Sequence, residues 1–243
     1  MACSGMVFRH SPPAFGNLIA NRDETYPWMK ERTDECHDHG CEVMIQLTHL
    51  GRRSHWNTGD WLPLISSSDV REPAHRGFPK PAEPWDIDRI VGDYADAAER
   101  MQAAGLDGIE LHSYCHFINQ FMTDQINLRD DEFGGSLPER MQFFDRIIRA
   151  VRARVGPEFI VGIRQTVAED YKSGGIDENE GLKIVRKLED DGMIDFINVI
   201  RGRCNTDPEM VDVIPVVGMK SAPHLDFVGE VKKTTTVPIF HAA

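Results

Sequence analysis

His112 and His116 stand four residues apart in the stretch GIELHSYCHFINQF, Gly108 to Phe121, with Tyr114 and Cys115 between them and a short apolar run before them. Two imidazoles at this spacing on a helix can hold one metal ion, as H-E-x-x-H motifs do. Here no Glu follows the first His, GIELH reads as a strand ending at His112, and His116 falls in the turn beyond it. A helix-borne metal pair is therefore the weaker expectation. The plainer alternative makes them satisfied core histidines, on a par with a site role for the His pair, and makes Cys115 a small buried hydrophobe, which is the favoured reading of that cysteine.

Arg164 lies in the middle of the apolar run VGIRQTV, where a buried guanidinium needs an anionic or electron-rich partner. That partner is either a ligand or a structural carboxylate such as Glu110. Gln46, at the end of EVMIQLT, offers a donor and an acceptor suited to reading an amide-like ring edge, or else plugs the space between strands.

Such groups need elements to position them. Short β-like runs recur at Glu42 to Thr48, Gly108 to His112, Phe159 to Val167, Asp195 to Ile200 and Val237 to Phe240, with a further candidate at Gly5 to Phe8. Helical patterns separate them, which is the signature of parallel βα units. Ile87, Ile90, Val91, Tyr94, Ala98 and Met101 share one helix face, which Gly105 can end in the left-handed conformation. Leu137, Met141, Phe144, Ile147, Ile148 and Val151 mark a second helix, and Asp177 with Glu180 caps a third through Leu182, Val185 and Leu188. The Pro- and Ser-rich segment 57–85 is too long for a simple connection and reads as a functional loop.

About six βα units are present where a (β/α)8 TIM barrel has eight, so a single partial barrel domain over residues 1–243, ending at strand seven, is expected. In such barrels chemistry gathers at the C-terminal strand ends. Those positions hold Gln46 and His49, Glu110 to His116, Arg164 and Gln165, Asn198 and Arg201, and His241.

The chain carries 39 acidic and 27 basic residues, a formal charge of −12, which disfavours nucleic acid and anionic membranes and tolerates cationic small molecules. Five cysteines, odd in number and without a C-x-x-C pair, suggest reduced thiols and no disulfide framework. No apolar leader or spanning segment stands out, so a soluble, cytoplasmic protein is expected.

The segments IQLTHLGRR (Ile45 to Arg53), AAGLDGIELH (Ala103 to His112), QFMTDQINLRDDEFGGSLPER (Gln120 to Arg140), VGIR (Val161 to Arg164) and the terminal VPIFHAA together resemble the old yellow enzyme superfamily of FMN-dependent oxidoreductases. The N-x-R-x-D…GGS segment, Asn127 to Ser136, is the most specific of them. The resemblance implies a TIM barrel with FMN at its C-terminal mouth, Gln46 on the flavin pyrimidine edge, and Arg164 beside N1 and C2=O. It places His49 among the cofactor-binding residues and His112, Tyr114 and His116 in the catalytic loop. The GGS segment is expected to organise the loop and helix entry, with Gly134 and Gly135 supplying backbone freedom.

Alkene-reducing relatives carry H-x-x-[HN]-G-Y in that loop, with Tyr as proton donor. This chain reads HSYCHF and is one residue shorter. Counted back from Gln120, His116 takes the Tyr position and Tyr114 the second binding position; counted forward from Glu110, His112 takes the first. The early SPPAFGNL, Ser11 to Leu18, and the loop His resemble the branch with trimethylamine and dimethylglycine dehydrogenases and N-methylproline (stachydrine) demethylases. That resemblance implies hydride transfer from an N-methyl group of a small tertiary amine or betaine to flavin N5, then iminium hydrolysis, with a His of near-neutral pKa holding or relaying a proton.

The same resemblance implies phosphate-binding elements after strands seven and eight and, in larger members, a 4Fe–4S cluster and an FAD- or NAD(P)H-binding domain. These lie outside the 243 residues, so weak or no flavin binding is expected of the chain alone. The expected partner is a small methylated amine, with room for a homo-oligomer of the full-length protein. The rival readings are NAD(P)H-dependent reduction of activated alkenes, a metal-dependent barrel hydrolase using His112, His116 and His241, and an inactive fragment.

Overall fold

A computed structural model describes residues 4–6, 18–54, 63–170 and 174–241. In chain order the elements are β1 (Ser4–Met6), β2 (Leu18–Ile19), α1 (Tyr26–Asp38), β3 (Met44–Thr48), β4 (Ile65–Ser66), β5 (Lys80–Pro81), α2 (Pro84–Ala103), β6 (Gly108–Ser113) and α3 (Phe117–Met122). There follow α4 (Leu137–Val155), β7 (Ile160–Ala168), α5 (Glu178–Asp191), β8 (Phe196–Arg201), α6 (Asp207–Val213), α7 (Leu225–Lys232) and β9 (Ile239–Phe240). The motif SPPAFGNL falls, up to Asn17, outside the described residues, as do residues 57–62 of the long loop.

Seven strands form one parallel sheet in the order β2-β1-β3-β6-β7-β8-β9, and β4 pairs with β5 separately. From β3 onward each strand lies beside the next one of this sheet in the chain, always on the same side. That single winding direction distinguishes a (β/α)8 TIM barrel from a doubly wound sheet, whose strand order reverses. The strands form an arc of such a barrel.

The period of two along each strand divides the sheet into two faces. Ile45, Leu47, Ile109, Leu111, Val161, Ile163, Ile197 and Val199 face the helices and form the main core. Gln46, Glu110, His112, Arg164 and Asn198 fall on the alternate positions and face the barrel interior. The helices present the matching stripes: Ile87, Ile90, Tyr94, Ala98 and Met101 of α2 and Phe144, Ile147, Ile148 and Val151 of α4 are all buried. Truncating one of them, such as Ile147 to Ala, removes contacts worth about 2–5 kcal/mol.

Local signals stop and start these helices where the residues require it. Asp177 accepts a hydrogen bond from the Glu180 backbone at 2.8 Å, and Ser136 with Glu139 forms a capping box on α4. Gly105, at φ 86°, turns the chain out of α2 into β6.

The strand expectations need two additions. β2 has only two residues and shows no periodicity, and β4 and β5 lie inside segment 57–85, which the fold ties down instead of leaving as an open loop. Arg52 donates through Nη1 to the carbonyls of Val70 and Arg71, both at 3.1 Å, and the buried Glu72 pairs with Arg53 at 3.3 Å. The fold brings Cys115 and Cys204 side by side, with Cα atoms 6.4 Å apart, although 89 residues separate them. Cysteine spacing is silent about contacts that only chain packing creates.

Candidate active site

The interior face carries two rungs of side chains. Gln46, Glu110, Gly162 and Phe196 are aligned across β3, β6, β7 and β8, and one rung nearer the strand ends His112, Arg164 and Asn198 are aligned in the same way. A Cβ on Gly162 would come within 2.1 Å of the Phe196 ring, so the missing side chain of one residue makes room for the ring of its neighbour. This aromatic floor lies beneath Arg164.

Glu110 is fully buried and tied on both oxygens. Gln46 Nε2 donates to Oε1 at 2.5 Å, and Asn198 Nδ2 donates to Oε2 at 2.9 Å. Burial pushes its pKa up, while these two amides and the Arg164 charge act in the opposite direction. Arg164 nevertheless forms no ion pair with Glu110, nor a hydrogen bond with any partner among the described residues. Its guanidinium is not spent on a structural carboxylate.

The loop leaving β6 gathers the rest. His112 belongs to the strand and His116 is the residue before α3, so the two are not on one helix; their ring centroids are nonetheless 4.1 Å apart. Cys115 between them has φ 55°, a left-handed turn that folds the loop back. Tyr114 stacks near His112 at 6.3 Å between centroids. Thr48 Oγ1 and His116 Nδ1 are hydrogen-bonded at 2.9 Å, whereas both nitrogens of His112 and the Tyr114 hydroxyl lack a hydrogen-bond partner among the described residues. Three buried polar atoms on two neighbouring side chains, all unpartnered among the described residues, point to a polar ligand.

Electrostatics correct one expectation. Neither histidine titrates near neutrality: burial, helped by Arg164 and Arg53, lowers His112 to about 3, and burial with His112 and Arg53 holds His116 well below its ordinary value. Burial also pushes the Tyr114 phenol up. All three side chains are therefore neutral at pH 7, able to give or accept hydrogen bonds without carrying charge.

Other expected mouth residues are placed elsewhere. His49 packs its ring on Phe117 at 4.5 Å and accepts through Nδ1 from the Gly51 backbone, shaping the turn after β3. Gln165 lies on the opposite strand face from Arg164 and donates to the Thr166 carbonyl. Arg201 is engaged by Asp170 and Glu178. His241 hydrogen-bonds the Val199 carbonyl through Nδ1, and no group of three or more His, Cys, Asp or Glu that could hold a metal ion occurs among the described residues. The three-histidine centre of the hydrolase reading is thus not formed.

Sequence reasoning passed over Arg53. It is buried, pairs with Glu72, donates to the Cys204 carbonyl, and acts electrostatically on His112, Tyr114 and His116. Its signal was the doubled arginine in QLTHLGRR. The Asn127–Ser136 segment is a scaffold: Asn127 Nδ2 donates to the carbonyls of Phe121 and Phe133, and Arg129 Nη1 to those of Ser67 and Ala82. Gly134 passes so close to Arg129 that a Cβ would lie 2.1 Å from its carbonyl oxygen.

The family described as "NADH:flavin oxidoreductase / NADH oxidase family" matches residues 10–208. A "Probable N-methylproline demethylase" of Rhizobium meliloti is 54% identical over 242 residues, covering 100% of this chain and 36% of that protein. A "Multifunctional alkene reductase/demethylase OYE" of Caballeronia cordobensis is 38% identical over 241 residues, covering 99% of this chain and 35% of that protein. The chain thus spans about a third of the length of these curated relatives. Among solved structures, histamine dehydrogenase from Rhizobium sp. 4-9 superposes with a TM-score of 0.87 at 20% identity, over 98% of this chain and 34% of that one. No helix among the described residues is long and apolar enough to cross a membrane.

Proposed function

The chain belongs to the NADH:flavin oxidoreductase / NADH oxidase family, and from that premise we propose that it forms the FMN-binding part of an oxidoreductase that removes N-methyl groups from a small tertiary amine. The observation that carries this reading is the unpartnered set on one rung and its loop: Arg164, both nitrogens of His112, the Asn198 carbonyl oxygen and the Tyr114 hydroxyl. These groups fit a flavin ring edge and a small substrate. A bound FMN supplies a hydride acceptor for the N-methyl carbon, after which water hydrolyses the substrate iminium to a secondary amine and formaldehyde.

The chain's own residues then have distinct tasks. Gln46 holds the pyrimidine edge with its amide, and Arg164 places a fixed positive charge where negative charge develops. His112 and His116, kept neutral by burial, form the wall against which the substrate lies; being uncharged they do not repel a cationic amine. His116, braced by Thr48 at 2.9 Å, stays neutral and orients the unprotonated amine by a hydrogen bond. The buried loop excludes bulk water from the reacting carbon.

The near 54% identity to a protein named as a probable N-methylproline demethylase supports an N-methylated imino acid as the substrate class. One observation favours a second activity, alkene reduction: Tyr114 offers a neutral, unpartnered phenol as a proton donor in the same loop. A relative whose name couples the two reactions agrees with it. The deciding experiment takes the full-length flavin-loaded protein, mixes it anaerobically with N-methylproline or dimethylglycine, or with an enone and NAD(P)H to read enone reduction, and follows flavin absorbance and formaldehyde. Bleaching by an amine with stoichiometric formaldehyde is expected. A colourless protein, or bleaching by none of the amines, rejects the demethylase reading.

A further inference from the structure

We propose that Glu110 is a positioning residue of this site, which turns the Gln46 and Asn198 amides so that both present carbonyl oxygen to the ligand, and which sets the charge beneath Arg164. The proposal rests on the flavin reading above. Its basis is a donor and acceptor count. Both Glu110 oxygens receive an N–H, one from Gln46 at 2.5 Å and one from Asn198 at 2.9 Å. Each carboxyl oxygen accepts one N–H, so each amide aims its NH2 group at Glu110 and its oxygen away.

The consequence is visible at Asn198, whose Oδ1 is buried and has no hydrogen-bond partner among the described residues. Gln46 is held the same way, with Oε1 as its unfixed end. A flavin pyrimidine edge presents one N–H between two carbonyls, so an acceptor fixed in place selects that N–H, whereas an amide free to flip selects nothing. Glu110 thus decides how Gln46 reads its ligand, without touching that ligand.

The second part follows from charge. Glu110 stands one rung below Arg164, with Gln46 on β3 and Asn198 on β8 to either side, and interacts with Arg164 electrostatically without pairing with it. Its negative charge therefore offsets part of the positive field that Arg164 supplies. Removing it leaves Arg164 uncompensated and favours an anionic reduced cofactor.

The test uses the full-length, flavin-loaded protein, with FMN affinity read by fluorescence quenching and the flavin midpoint potential by dye equilibration. Glu110→Gln is expected to weaken FMN binding about tenfold and to move the potential upward. In a Gln46→Ala background the same substitution costs less affinity than in the wild type, because part of its effect passes through that amide. Glu110→Asp keeps the charge but withdraws it from Gln46, so it loses affinity with the potential near wild type, and it carries the test if Glu110→Gln does not fold. Additive losses in the double variant, or unchanged affinity and potential in Glu110→Gln, overturn the role of Glu110. A wild-type protein that takes up no FMN overturns the flavin reading instead.

Discussion

Arg164 and His112 stand in register on β7 and β6, and neither its guanidinium nor its imidazole has a hydrogen-bond partner among the described residues. Burial, and after it the guanidinium, lowers the histidine's pKa, and both face the barrel interior. A cation and a neutral imidazole so placed are matched to a ligand with an electron-rich edge and a polar substituent.

Replacing Arg164 tests the first half of that match. Arg164→Ala should weaken FMN binding roughly ten- to a hundredfold, and Arg164→Lys should restore only part of it, because an ammonium keeps the charge and loses the planar fork. Flavin titration by fluorescence checks this; equal affinity in all three proteins removes Arg164 from the site.

The loop separates the two candidate reactions. His116→Ala should lower kcat for amine oxidation about a hundredfold, as loss of a group that orients the reacting N-methyl carbon does. Tyr114→Phe should leave amine oxidation nearly intact and cut alkene reduction by a similar factor. Stopped-flow reduction by the amine and steady-state enone turnover read the two effects independently, and a Tyr114→Phe protein impaired in amine oxidation contradicts the assignment.

Acid should destabilise the fold through its buried histidines. His49 and His112 fall to about 3 from an ordinary 6.5, and His116 falls well below that ordinary value, chiefly by burial. A folded-state pKa below the unfolded one means that the unfolded chain binds protons first, so the stability present above 6.5 is lost as pH falls from there toward about 3. The slope approaches about 1.4 kcal/mol per pH unit for each histidine. Glu110 and Glu169, pushed up by burial, pull the other way. Urea midpoints between about pH 7 and pH 5 should therefore fall in the wild type and fall less in His112→Asn; parallel curves would show that His112 does not titrate as described.

Gly162 makes the floor of the site. Gly162→Ala should cost about 1–3 kcal/mol, because the new Cβ meets the Phe196 ring, which is itself boxed in by the sheet. Phe196→Leu in the same chain should recover part of the loss, since it removes the atoms in conflict. Denaturant unfolding of the two single variants and the double variant gives the coupling, and simple additivity would place the strain elsewhere.

Much of the fold could be read from residue order because its causes are local. The stripe from Ile87 to Met101 has the helical period and becomes the buried face of α2; Asp177 and Glu180 carry their own hydrogen bond; GIELH and VGIRQTV alternate as strands do. β2, β4 and β5 escaped because two residues hold no period, and what makes them strands is the neighbour that each one meets.

The site divides along the same line. Order in the chain already placed Gln46, His112 and Arg164 at the ends of parallel strands, since side-chain alternation and strand direction follow from local pattern. What only tertiary structure decided is which of these groups share a rung and which are already satisfied. His49 turned onto Phe117, Arg201 went to Asp170 and Glu178, and Cys115 met Cys204, while Arg164 stayed unpaired and Glu110 drew two amides from strands 64 and 88 residues away in sequence. Pairing, burial and the resulting loss of charge on His112 and His116 are properties of distance through space, and linear order does not encode distance until the sheet has closed the chain upon itself.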